Sequence, residues 1–247
     1  MNVYQHDPVV PFKDSDLSKK KQVEEMFDRI AKKYDFLNRF LSARIDVIWR
    51  RKAIKKLTQL APENVLDVAT GTGDFAIMCY KTIHPKKIIG IDISAGMINV
   101  GNEKIKKLGL EKNIELIKGD GETILFPENS FDAVIVAFGV RNFEDLEKGL
   151  CEINRVLRTG GKLVILEFSK SNLPVIKTLY KLYMEVITPL FVKLFSKNHE
   201  AYEYLNESVK KFPEGKNFTS ILDKVGFKKT SQQKLTLGIC SIYCGEK

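Results

Sequence analysis

The sequence predicts an α/β fold, a parallel sheet with crossover helices that ends in an antiparallel hairpin on one edge. Three observations carry this. Short apolar runs alternate with helical patterns from Asn64 to Phe168, the order that parallel βαβ units require. The run Phe131–Ala137 is apolar throughout after Asp132, as a strand covered on both faces demands. Near the C-terminus, Phe227–Leu235 and Ile239–Cys244 are separated only by Thr236–Gly238, which reads as a hairpin.

Each element follows from local pattern. Residues 1–15 hold Pro8 and Pro11 close together and read as irregular chain. From Ser18 the pattern is helical. Val23, Met26, Phe27 and Ile30 recur at helical spacing, and Tyr34, Leu37 and Leu41 continue the stripe. A second helical run covers Asp46–Leu60 and stops before Pro62. The period then changes. Asn64–Val68 is the first strand, Asp74–Lys81 a helix, and Lys87–Ile91 a second strand ending at Asp92. Ser94 is placed to cap a helix that runs to Leu108, and Gly109 closes it. Ile114–Lys118 is the third strand, followed by "GDGE". Phe131–Ala137 is the fourth strand and Leu146–Leu157 a helix. "RTGGK" is its exit turn, and Lys162–Phe168 is the fifth strand.

Composition narrows the class. With 247 residues, 44% hydrophobic and 29% charged, the chain can bury a full core without metal or disulfide staples. Cys79, Cys151, Cys240 and Cys244 form no Cys-x-x-Cys pair. Cys240 and Cys244 share one face of a strand and read as small buried hydrophobes, so no metal site is expected. This usage suits a reducing compartment, the cytoplasm. The N-terminus lacks the apolar core of a signal peptide. Val186–Val192, the longest uncharged apolar stretch in the C-terminal half, is far short of the roughly 20 residues of a membrane span. The net charge is +9, and its basic excess lies in residues 1–60 and 170–247. Such flanks suit nucleic acid, an anionic membrane or an anionic substrate, or are plain solvated surface.

The glycine turn is the first functional signal. Gly71-Thr72-Gly73-Asp74-Phe75-Ala76 fits G-x-G-x-x-[G/A], lies between a strand and a helix, and is followed about 20 residues later by Asp92. An acid there takes ribose hydroxyls. Two ligand classes share this geometry, nicotinamide-type dinucleotides and S-adenosylmethionine. A pyrophosphate needs a helix N-terminus free of negative charge. Asp74 in the first helical turn and Asp67 in the preceding strand both oppose it, and both suit a ligand with an ammonium and a sulfonium. Asp120, after the third strand, is placed to accept from an adenine amino group. These carboxylates and the edge hairpin favour S-adenosylmethionine.

At this point the chain resembles a known family. "LDVATGTGDFA", "GIDIS", "GDGE", "SFDAVIVAFGVRNFED", "GGKLVILEFSK" and "YEYLNESVKKFPE" look like successive signatures of the UbiE/MenG quinone-biosynthesis C-methyltransferases. "VEEMFDRIAKKYDFLNRFLSARIDVIWRR" looks like that family's opening helices. The resemblance covers residue 20 onward. It implies a class I methyltransferase fold, with a seven-stranded, mostly parallel sheet. The implied reaction is methyl transfer from S-adenosylmethionine to a ring carbon of demethylmenaquinol, or of a ubiquinol precursor in some relatives. It makes Thr72 a cofactor contact, Asp92 the ribose ligand, and Asp120 and Gly121 the neighbours of the adenine. The family often has alanine at the position of Gly121, and a backbone contact survives that change. Asp67, Gly71 and Gly73 complete the expected cofactor set. The expected organisation is one methyltransferase domain. Residues 1–60 form an N-terminal helical lid, 61–169 the cofactor-binding core, and 170–247 a substrate-covering region with the hairpin.

For chemistry, Arg141 is the candidate cation beside an ionising quinol hydroxyl. Its structural alternative is a tie to a carboxylate such as Glu144. Asn142 either orients that hydroxyl or caps the next helix. His84, in the turn before Pro85, reads as exposed, and His199 is a weak candidate base. Tyr202 and Tyr204 are expected to touch substrate, with packing as the alternative. Pro174–Phe195, apolar but punctuated by lysines, is expected either to cover the acceptor pocket and face the inner leaflet of the membrane or simply to pack on the sheet. A nucleic-acid methyltransferase is disfavoured. The chain has "AFGVRNF" where an Asn/Asp-Pro-Pro-aromatic turn would stand, and no cysteine nucleophile at that edge. The sequence leaves oligomeric state open, a homodimer included.

Overall fold

The structure, a computed structural model, describes residues 4–171 and 199–247. The expected cover segment Pro174–Phe195 lies outside the described residues.

A seven-stranded sheet in the order β3-β2-β1-β4-β5-β7-β6 organises the chain. Its strands are β1 (Asn64–Val68), β2 (Lys87–Asp92), β3 (Ile114–Lys118), β4 (Phe131–Ala137), β5 (Leu157–Phe168), β6 (Lys228–Leu235) and β7 (Cys240–Glu246). The first five run parallel, and β7 pairs antiparallel with both β5 and β6. The expected hairpin is therefore present, inserted so that β7 lies between β5 and β6. Strand order reverses between β1 and β4, which opens a crevice at their carboxyl ends, where such sheets bind ligands.

Helices α3 (Asp74–Ile83), α4 (Ala95–Lys107) and α5 (Leu146–Val156) are the crossovers. Ser94 caps α4 as expected, accepting from the Met97 amide at 3.1 Å. Gly109 follows that helix at φ +66°. Alternate residues of β1 and β4 feed two apolar layers. Val65, Ala133 and Ile135 join one cluster, and Leu66, Val68, Val134 and Val136 the other. Cys240 and Cys244 are buried in the first cluster, on one strand face as the sequence indicates.

Two boundaries differ from expectation. Helix α2 spans Ile45–Ile54, and the expected run to Leu60 tightens into a 3-10 turn at Lys55–Leu57. "RTGGK" is part of β5. The register jumps from Phe131 opposite Leu157 to Ala133 opposite Lys162, so the segment bulges within the strand, with Gly160 at φ +78°. The C-terminal Lys247 backbone closes that bulge through bonds with Gly160 and Gly161. Helices α6 (His199–Lys211) and α7 (Lys216–Lys224) complete the described chain.

Helix α1 (Lys19–Leu41) crosses the crevice. Its polar residues 20, 24, 28, 35 and 39 recur at helical spacing and bond in turn to the loops after β3, β2 and β1. Lys20 pairs with Asp120 at 2.7 Å, and Glu24 with Lys118 at 2.7 Å. Asp28 accepts from Ser94 Oγ at 2.6 Å and from the Gly96 amide at 2.8 Å. Asp35 accepts from Thr72 Oγ1 at 2.5 Å, and Arg39 reaches Asp74 at 3.1 Å.

Candidate active site

Two adjoining cavities fill the crevice under α1. The larger, about 640 Å³, holds Asp92, Asp120, Gly121, Phe138, Asn142 and Phe143 on its wall. The smaller, about 410 Å³, holds Asp67, Thr70, Thr72, Arg50 and Asn38. Tyr34, Ala69, Gly71 and Ala137 line both. Gly71 has φ +56°, and a side chain added there would point at Tyr34. The glycine turn is thus the ridge over which an elongated ligand would lie.

The three expected carboxylates sit at successive strand ends. Asp92 accepts from the Gly71 amide at 2.8 Å and the Ser94 amide at 2.9 Å, one bond to each oxygen. Each oxygen keeps a lone pair for ribose hydroxyls. Burial lifts the Asp92 carboxyl to about 6, against the pull of those two amides. Asp67 is fully buried, and burial pushes its carboxyl to about 7. One Asp67 oxygen accepts from Thr70 Oγ1 at 2.6 Å, and the other has no partner among the described residues. An unpaired buried carboxylate oxygen calls for a cationic donor. Asp120 accepts from the Glu122 amide at 2.9 Å and from Lys20.

Other expected contacts are placed differently. The Thr72 hydroxyl is committed to Asp35 and also receives Lys104 Nζ at 3.1 Å, so it holds α1 to the turn. Gly73 lines neither cavity. It starts α3 at φ +76°, and a side chain there would meet Leu116 at 2.9 Å. At Gly121 a Cβ would lie 2.8 Å from Val68 and 2.9 Å from Phe143. In this chain glycine makes room for the Phe143 ring, which also presses on Gly149. The charge of Asp74 is not free. Burial raises its carboxyl, but Lys104 at 2.5 Å and then Arg39 outweigh this and leave it below the usual range. Asp67 and Asp92 are thus the carboxylates at this turn that carry no ion pair among the described residues.

On the acceptor side, Asn142 lines the larger cavity and Arg141 does not. Arg141 is buried and donates from Nη1 to Glu167 Oε1 at 2.7 Å and to the Phe138 carbonyl at 2.6 Å. Its carboxylate partner is Glu167 of β5 rather than Glu144. Asn142 does not cap α5; Asp145 does, accepting from the Lys148 amide. Asn142 Oδ1 instead accepts from Tyr204 Oη at 3.1 Å. Tyr204 is buried, its hydroxyl pushed well above the usual range, and it also lines an outer groove against Pro8–Pro11. Tyr202 lies on α6, but its side chain is outside the described set, as is that of His199. His84 is exposed, as expected, and ends α3 in a left-handed conformation.

Sequence reasoning missed Tyr34, Phe143 and Arg50 as cavity walls. Tyr34 read only as part of an apolar stripe. Arg50 pairs with Asp46 one turn earlier and lies 5.4 Å from the Phe138 ring centroid. Its one signal is an i, i+4 Asp–Arg pair on a helix whose other charged residues, Arg51 and Lys52, are exposed.

The sequence profile of the ubiE/COQ5 methyltransferase family matches residues 15–247. The chain belongs to this family. It is 46% identical over 244 residues to a Bacteroides fragilis protein named demethylmenaquinone methyltransferase, covering 99% of each chain. It is 44% identical over 230 residues to a Geotalea daltonii protein named ubiquinone/menaquinone biosynthesis C-methyltransferase UbiE, covering 93% of this chain and 97% of that one. Among solved structures, it shares its fold with a Thermotoga maritima S-adenosylmethionine-dependent methyltransferase. The TM-score is 0.61 at 19% identity, over 90% of this chain and 99% of that one. Among the described residues no helix is long and apolar enough to cross a membrane.

Proposed function

We propose that this enzyme methylates a ring carbon of demethylmenaquinol to give menaquinol, with S-adenosylmethionine as the donor. The observation that carries the reading is the end-to-end match to the Bacteroides fragilis protein, at 46% identity. The crevice fits the donor. In this reading Asp92 takes the ribose hydroxyls, and the unpaired oxygen of Asp67 takes the ammonium. The Asp120–Gly121 turn and Phe143, which line the same cavity, are read as the neighbours of the adenine; the buried unpaired oxygen of Asp67 supports its part of the reading.

When bound, the donor supplies an electrophilic sulfonium methyl, so the hard chemistry is the cofactor's own. The chain must align the acceptor and make its ring nucleophilic. Ionising a hydroxyl with a phenol-like pKa near 10 at pH 7 costs about 4 kcal/mol. A preorganised site away from water can offset much of this. We assign the acceptor side to Asn142, which faces the cavity, and to Arg141, whose guanidinium stands behind Phe138. Across the reaction the quinol loses one hydroxyl proton. The ring C–H proton then leaves as the methylated ring regains its aromatic form with both hydroxyls, so the net release is one proton.

The supporting experiment is a turnover assay with labelled S-adenosylmethionine and reduced demethylmenaquinone, with mass analysis for one methyl on carbon. A 2-methoxy-6-polyprenyl-benzoquinol precursor of ubiquinone is run beside it, because the Geotalea relative's name covers both pathways. Methylation of neither quinol rejects the proposal. The acceptor's isoprenoid tail and the basic flanks support contact with an anionic membrane face. Failure to float with liposomes, with or without anionic lipid, rejects that part.

A further inference from the structure

Among the described residues, Glu167 on β5 is a fully buried carboxylate that lines neither cavity. Its Oε1 accepts from Arg141 Nη1 at 2.7 Å and from the Phe168 amide at 2.9 Å. Its Oε2 has no partner among the described residues. A buried pair of this kind is weak evidence of a stability role, because apolar residues of similar volume serve stability as well or better. What the pair touches points elsewhere.

Arg141 passes the constraint on to Phe138. Phe138 sits at φ +60°, a conformation that L side chains hold only where the surroundings over-determine it. Both of its backbone polar groups are tied. The amide donates to the Leu166 carbonyl at 2.7 Å, and the carbonyl accepts from Arg141 at 2.6 Å. The same carbonyl accepts from Asn142 Nδ2 at 3.4 Å, and Asn142 in turn accepts from Tyr204. Phe138, Gly139 and Asn142 are wall residues of the larger cavity. A Cβ on Gly139 would lie 2.5 Å from Ala69, so this wall abuts the turn that carries Gly71. One carboxylate on β5 thus roots a chain of contacts that ends at the cavity surface.

We propose that Glu167 is a positioning residue for methyl transfer, acting through Arg141 to hold the Phe138–Asn142 wall against which the acceptor ring is aligned. The proposal rests on the methyl-transfer reading above. It goes beyond it by making the pair a device for turnover rather than for folding. A misplacement of about 1 Å in such a wall costs on the order of a hundredfold in rate.

The test replaces the pair by apolar residues, Arg141→Met with Glu167→Leu, beside the wild type. Stability and S-adenosylhomocysteine affinity should be kept, the latter within about twofold, while kcat falls by roughly tenfold to a hundredfold. A second readout needs no turnover. Trp49, the only tryptophan, has its ring 6.3 Å from Phe138 and 6.2 Å from Phe168. Its emission should shift in the double variant. Wild-type kcat retained within about twofold overturns the proposal, as does a kcat loss with unchanged Trp49 emission. If the double variant does not fold, Glu167→Asp and Arg141→Lys carry the same test with the same expected split. A wild type that methylates neither quinol refutes the methyl-transfer reading, while Trp49 emission still reads whether the pair holds the wall.

Discussion

Replacing Asp67 with asparagine should make the ligand-free protein more stable at pH 8 and weaken its hold on the cofactor. Asp67 is fully buried with one oxygen unpaired, and its carboxyl is raised from 3.8 to about 7 by burial. The folded state therefore holds this proton more tightly than the unfolded chain does. The resulting stability is fully present below pH 3.8 and is lost as the pH rises through about 7. At about 1.4 kcal/mol per pKa unit, the ionised carboxylate at pH 8 costs the fold on the order of 4 kcal/mol. Asparagine removes that charge but buries an amide hydrogen without a partner, which costs about 1–3 kcal/mol. The net gain is about 1–3 kcal/mol, or roughly 2–4 °C in thermal midpoint for each kcal/mol in a chain of this length. Near pH 4 the gain should vanish or change sign, because the wild-type carboxyl is then protonated when folded. Thermal melts from pH 4 to 8, without ligand, read the effect. Calorimetry with S-adenosylhomocysteine should show affinity down by roughly tenfold to a hundredfold, the worth of a hydrogen bond between charged groups. A stability difference that does not change with pH would refute the burial argument. Unchanged affinity would refute the assignment of Asp67 to the ammonium.

The same two carboxylates predict how binding follows pH. Asp67 and Asp92 titrate at about 7 and about 6. A ligand that offers them an ammonium and hydroxyls needs both ionised, so affinity should fall from pH 8 to pH 6. Calorimetry near pH 6.5 should show proton release as a dependence on buffer ionisation heat; no dependence would contradict it. Gly121→Ala should destabilise by about 1–3 kcal/mol, because the added methyl overlaps Val68 and Phe143. Shortening Phe143 to leucine in the same chain should recover part of this in chemical denaturation, and no recovery would mean that the clash lies elsewhere. High salt should speed amide exchange in α1 more than in α5. Helix α1 is tied to the crevice by ion pairs at Lys20, Glu24 and Arg39, whereas α5 packs through Leu146, Leu150 and Ile153. Equal acceleration in both helices would count against the ionic tie.

The sheet and the carboxylates were legible because each rests on local pattern. A strand period, a glycine turn and an acid at a strand end are all written within a few residues. The hairpin's place between β5 and the edge, the bulge at Gly160 and the partner of Arg141 were not. Each depends on segments far apart in the chain. Lys247 closes the bulge, and Glu167 lies 26 residues from Arg141. Thr72 and Asp74 show the same limit within the motif itself. Their spacing marks a turn that lines the smaller cavity, yet their side chains are taken by Asp35, Lys104 and Arg39. A glycine motif fixes where a backbone goes; it does not say which neighbouring side chains remain free.

The same division between polar ties and apolar packing runs through the cover of the crevice. The polar ties of α1 to Asp74, Asp120 and Lys118 join partly exposed groups, and such pairs are worth about 0–1 kcal/mol each because water replaces them readily. The apolar inner residues Val23 and Met26 are buried beside Ala201 and Tyr204 of α6, and Val23 also lines the larger cavity. Helix α1 is therefore held to the crevice by two kinds of contact, replaceable ion pairs at its rim and the buried side chains Val23, Met26, Ala31 and Leu37 beneath. Asp67 and Glu167 are different in kind. Both are fully buried and each leaves an oxygen unpaired, one facing the cofactor cavity and the other behind the acceptor wall. Charges so placed weaken the fold. Under the methyl-transfer reading proposed above, a role in binding for Asp67 and in positioning for Glu167 would account for that cost.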